Sequence, residues 1–153
     1  MNCLLDANIL LAIVRAKDYK SILKFLNVDD SSIYISIVSE AEIKSMGFRN
    51  QWGRDRLSLL DYFLTQVTIV EVSQILINSY VQIEAYSQRS NPDFESYLFS
   101  TSRNMGKNDL WIASVAASMN QTLITTDSDF DHLDGIFLDV RKIDVKEFLP
   151  FFK

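Results

Sequence analysis

Four acidic residues, Asp6, Glu42, Asp109 and Asp127, each fall where an apolar run changes character, and together they could do metal chemistry. Asp109 lies in the first turn of a helical pattern, where the helix dipole favours a carboxylate, and Asp127 follows the short apolar run Thr122 to Thr126. Asp6 separates the run Asn2 to Leu5 from Ile9, Leu10, Ile13 and Val14 at helical spacing, which places it at a strand-to-helix junction. Glu42 shares a helical stripe with Val38, Ala41, Ser45 and Met46, so it faces the core, and something must compensate its charge there. Gathered carboxylates raise one another's pKa unless a cation neutralises them. Oxygen ligands without histidine or thiol suit magnesium or manganese rather than zinc, and such ions lower the pKa of water and clamp a phosphodiester.

Local alternatives exist for two of these acids. Asp6 or Asn8 would also serve as a helix cap, and Ser39 with Glu42 has the spacing of a capping box. Glu40 replaces Glu42 if the helix phase is shifted.

The elements that must position the acids alternate. Strands are expected over Asn2–Leu5, Ile33–Ser36, Val67–Val70, Thr122–Thr126 and Ile136–Val140. Helices are expected after Asp6, over Lys17–Leu26, after Ser36, over Arg54–Gln66 and Ser73–Gln88, and from Lys107 to the break at Asn120-Gln121. The Ser73–Gln88 helix would bury Ile75, Leu76, Tyr80 and Ile83. Phe94 to Gly106 reads least clearly, as a short helix whose aromatics pack on the core. This alternation predicts an α/β fold: a three-layer α/β/α sandwich around a mainly parallel sheet of about five strands. Right-handed crossovers would bring the four acids to the carboxyl edge of that sheet.

Composition sets the limits. The chain of 153 residues is 48% hydrophobic and reads as a single domain over residues 1–153 with a full core. Its net charge of −5 argues against indiscriminate coating of nucleic acid, although four acids at a cation site would account for much of that excess. One cysteine, Cys3, and one histidine, His132, exclude the usual zinc-finger ligand sets, and Cys3 falls in a buried strand. A Ser-His-Asp triad would need His132, and no nucleophile-elbow sequence accompanies it. No basic leader or membrane-length apolar run is found near Met1, so a cytoplasmic protein without membrane contact is expected. Leu149, Phe151 and Phe152 are expected to dock on this domain or on a second subunit.

Leu-Leu-Asp-Ala-Asn-Ile-Leu at 4–10, Val-Ser-Glu-Ala-Glu-Ile at 38–43, Asn-Asp-Leu-Trp-Ile-Ala at 108–113 and Leu-Ile-Thr-Thr-Asp-Ser-Asp-Phe at 123–130 resemble the motifs of PIN-domain ribonucleases, especially toxins of the VapBC type. The resemblance spans nearly the whole chain in the family's order. It implies that Asp6, Glu42, Asp109 and Asp127 are both catalytic residues and ligands of Mg2+ or Mn2+. It further implies hydrolysis of RNA by an activated water, with 5′-phosphate products, an antitoxin partner and a homodimer. Asn8 stands where the family commonly has a small hydroxyl residue and would support bound water; Thr126 would add a hydroxyl, and Asp129 a supporting or capping carboxylate. Lys107 and Arg103, just before Asp109, are the candidates for contacting substrate phosphate. Two other readings stay open: an RNA-binding module that does not cleave, and a phosphate-ester hydrolase acting on a small molecule.

Overall fold

A computed structural model describes residues 1–152. Five strands, β1 (Asn2–Leu5), β2 (Ser32–Ser36), β3 (Thr68–Val70), β4 (Thr122–Thr125) and β5 (Asp139–Lys142), form one sheet in the order β3-β2-β1-β4-β5. All neighbours are parallel, with Leu4 opposite Tyr34 on one side and opposite Leu123 on the other. The chain moves outward from β1 first towards β3 and later, through β4, towards β5. The carboxyl ends of β1 and β4 therefore flank the point where strand order reverses, the place where open α/β sheets bind ligands.

Alternating residues of the central strands feed two cores. Cys3, Leu5, Ile35 and Ile124 pack under α1 (Ala7–Arg15), α2 (Tyr19–Phe25), α3 (Ile37–Arg49) and α4 (Arg54–Thr65). Leu4 and Leu123 pack under α5 (Ile77–Ser87) and α6 (Lys107–Met119) on the opposite face. The result is the expected three-layer sandwich. Asn120 closes α6 in the left-handed conformation, which asparagine tolerates well. No helix among the described residues is long and apolar enough to cross a membrane.

Several boundaries differ from expectation. The fifth strand begins at Asp139 because Gly135, at φ 74°, opens a turn in which the Ile136 and Phe137 amides both donate to the Leu133 carbonyl. Ile75 belongs to a 3-10 turn ahead of α5 and is 78% exposed, whereas Leu76 and Ile83 are buried. Residues 88–106 form no helix; Phe94, Tyr97 and Phe99 instead ring Tyr86. The C-terminal tail docks on its own domain: Phe148 is buried, Phe151 packs on Phe25, and the Arg15 guanidinium covers Phe152, while Leu149 remains exposed.

Candidate active site

Asp6 is the buried anchor of the sheet's carboxyl edge. It is the residue after β1 and the N-cap of α1: Oδ1 accepts the Ala7 amide at 2.8 Å and Oδ2 accepts the Thr125 hydroxyl at 2.7 Å. Capping and site-building are thus done by the same carboxylate. Burial pushes its pKa up, against the two hydrogen bonds, and Asp127 adds repulsion.

Thr125 ends β4, and its Oγ1 also accepts the Asp127 amide at 3.0 Å, a hydroxyl-to-backbone turn that leads the chain out of the sheet. The hydroxyl expected from Thr126 is therefore supplied one residue earlier, because the strand stops at Thr125. Asp127 then caps the 3-10 turn Ser128–Leu133, with Oδ1 accepting the Asp129 amide at 2.9 Å. Asp109 reaches the same place from the first turn of α6, whose N-cap is Gly106. Carboxylate oxygens of Asp109, Asp127 and Asp129 lie within 4.8 Å of one another. Asp129, expected as a support, is thus inside the cluster. Desolvation raises the Asp109 pKa to about 7, followed in weight by Asp6, Asp127, Asp129 and Glu42.

Glu42 approaches from α3. The expected capping box is absent: Ser36 is the N-cap and its Oγ accepts the Val38 amide at 3.1 Å, so Ser39 and Glu42 stand inside the helix. Ser39, Ile43 and Gly47 make the buried stripe, whereas Ala41 and Ser45 are exposed and Glu42 is half-buried. One oxygen of Glu42, Oε1, is buried without a hydrogen-bond partner, and burial followed by Asp6 raises its pKa. Glu40 turns away to Lys44, 2.8 Å distant, and takes no part. An open groove of about 560 Å3 runs from Glu42 between α3 and the start of α6, past Ser45, Arg49 and Asn108. Asn8 is exposed on α1, Lys107 is exposed at the start of α6, and Arg103 lies with Asn104 and Met105 beside Asp129.

The mutual repulsion among Asp6, Glu42, Asp109, Asp127 and Asp129 connects five acids from four parts of the chain into one electrostatic unit. A buried, unpartnered carboxylate oxygen and clustered acids are expensive without a positive charge among them. The donor set is all oxygen and fits a hard divalent cation.

The model of the PIN domain family matches residues 3–136, and the chain belongs to that family. A search of curated proteins finds no match. Among solved structures the chain is similar to VapBC2 from Rickettsia felis bound to a promoter DNA fragment, with 24% identity, 94% of this chain and 100% of that chain covered, and a TM-score of 0.72. It is also similar to VapBC-1 from nontypeable Haemophilus influenzae, with 21% identity, 93% and 98% covered, and a TM-score of 0.68. A third is VapBC-5 of the VapBC family of toxin-antitoxin systems from Mycobacterium tuberculosis, at 22% identity, 93% and 98% covered, and a TM-score of 0.62. At these identities the common property is the fold.

Proposed function

We propose that the protein is a divalent-metal-dependent endoribonuclease acting in the cytoplasm as the toxin of a toxin-antitoxin pair. The observation that carries this reading is the meeting of Asp109, Asp127 and Asp129 beside Asp6 and Glu42 at the switch point of the sheet. Membership of the PIN domain family supports nuclease chemistry, and the VapBC neighbours support an antitoxin partner. A homodimer is proposed on the family resemblance.

Asp6, Glu42, Asp109 and Asp127 would hold Mg2+ or Mn2+, with Asp129 close enough to join them. When bound, the cation supplies charge neutralisation at the phosphodiester and lowers the pKa of water. Asp6 is fixed at both oxygens by Thr125 and Ala7, so its carboxylate needs no reorientation. Asp109 must lose its proton to act as a ligand, which burial first and then its acidic neighbours oppose up to about pH 7. Lys107 and Arg103 would offset the acidic mouth and attract the RNA backbone, while the exposed Asn8 would support bound water and Thr125 holds the Asp6 carboxylate.

RNA oligonucleotides, single-stranded and structured, are the test substrates. Cleavage to 5′-phosphate products is expected with Mg2+ or Mn2+, and its loss with EDTA or in Asp109→Asn. Cleavage that survives both treatments, or hydrolysis of nitrophenyl phosphate in place of RNA, would overturn the reading.

A further inference from the structure

Residues 88–106 cross from α5 to α6 without regular structure, yet they are tightly fixed. The Arg103 amide donates to the Ser87 carbonyl at 2.7 Å, Ser102 Oγ donates to the Gln88 carbonyl, and the Gln88 side chain donates to Asn104. Beneath this strap, His132 is buried in the acidic 3-10 turn that Asp127 caps. Its ring stacks parallel to Tyr86, meets Phe99 edge-on, and places Nε2 2.7 Å from Ser87 Oγ. Ser87 Oγ also donates to Met105 Sδ at 3.4 Å. One buried hydroxyl thus joins α5, the strap and the acidic turn.

The protonation state follows from the partners. With the Ser87 hydrogen directed to Met105, Nε2–H of a neutral His132 donates to Ser87 Oγ, and only the Nδ1 lone pair is left without a partner. The other tautomer would leave a buried N–H unpaired, the costlier choice. Burial and Arg103 push the His132 pKa down to about 4, so the ring stays neutral. Both side chains are buried and no carboxylate accepts from Nδ1, so this serine-histidine pair is not a nucleophile with its base.

We infer that His132 is a positioning residue: through Ser87 it ties the turn bearing Asp127 and Asp129 to the strap, holding Arg103 at the site's mouth to receive an RNA phosphate. The nuclease reading supplies the substrate; the clamp itself rests on the contacts above. Arg103 and Asp129 line the same small recess, and the Arg103 guanidinium rests over the Phe99 ring that His132 supports. The strap's phosphate contact is then set by the same turn that carries the acids. Loss of the clamp would weaken RNA capture while leaving the acids able to act.

His132→Phe keeps an aromatic ring and removes the hydrogen bond; Ser87→Ala removes it from the other side; His132→Gln retains an N–H donor. Hydrogen exchange at residues 102–105 is expected to quicken about tenfold in the first two, with the amides of β1 and β4 unchanged. For cleavage of a single-stranded RNA oligonucleotide with Mn2+, both should raise KM about tenfold and leave kcat within about twofold, as Arg103→Gln should. His132→Gln should restore both readouts towards wild type, and adding His132→Phe to Arg103→Gln should raise KM no further. Unchanged exchange over 102–105, additive KM effects, a fall in kcat at constant KM, or failure of Gln to rescue would each overturn the clamp. A wild-type protein that neither binds nor cleaves the oligonucleotide would sink the nuclease reading and Arg103's role with it; cleavage with unmoved KM in the variants sinks the clamp alone.

Discussion

Asp109 carries the clearest electrostatic conflict, since burial and four neighbouring acids all oppose its ionisation. The unfolded chain releases this proton near pH 3.8, while the folded protein holds it to about pH 7. Across that window the native state binds the extra proton, so stability falls as pH rises and stays lower above it. Asp109→Asn should therefore raise Tm at pH 8 without divalent ions and leave it little changed at pH 4, as read by scanning calorimetry; a lower Tm at pH 8 would speak against the cluster. Thr125 illustrates a different dependence. Thr125→Val removes the hydroxyl that Asp6 and the Asp127 amide share, and a hydrogen bond to a carboxylate such as Asp6 contributes about 1.5–3 kcal/mol. Denaturant unfolding should show a loss of that order, together with impaired cleavage. The positions of Asp6 and Asp127 were legible because each falls where a short apolar run ends, and that of Asp109 because it opens a helical pattern. The Thr125 role was not, because an apolar pattern leaves the last strand residue uncertain by one, and one residue decides which threonine meets Asp6.

Helix α3 shows what binary patterning misses at the scale of an element. Of the expected inward stripe Val38, Ala41, Glu42, Ser45 and Met46, Val38 and Met46 pack against the cores while Ala41 and Ser45 are exposed, and the fully buried line is Ser39, Ile43 and Gly47. Gly47 sits there because Trp52 approaches closely: a Cβ on Gly47 would lie 2.8 Å from Trp52 Cε3. Gly47→Ala gains about 1 kcal/mol in helix propensity but forces an overpacked contact costing about 1–3 kcal/mol, so a net loss in urea unfolding is expected unless the Trp52 ring yields. Glu42's inward role was readable in spite of the wrong stripe, since it borders the true one. The strap at 88–106 was opaque for another reason: its backbone is satisfied by side chains, the Asn91 Oδ1 accepting the Asp93 amide and the Tyr97 Oη accepting the Asn91 backbone amide. No period in the sequence reports such bonds.

Over the whole molecule, alternation of strand and helix was enough to expect the parallel sandwich, because each central strand is apolar on both faces and each intervening helix is long enough to cross back. Strand order was not readable directly, although it decides that β1 and β4 adjoin and that Asp6 meets Thr125 across 119 residues of sequence. A cation bound only by the folded cluster must stabilise the fold, and protons must compete with it. Mn2+ should raise Tm more at pH 8 than at pH 5.5, following the high proton affinity of Asp109. An equal shift at both pH values would place the ion elsewhere.

Calorimetric titration of Mn2+ into the folded protein near pH 6.5, in two buffers of different ionisation enthalpy, bears most directly on whether these acids form one cation site. Saturable binding with proton release is expected for the wild type, and marked loss of affinity in Asp6→Asn, Asp109→Asn and Asp127→Asn alike. Binding of equal strength in all three variants, with no proton released, would contradict it.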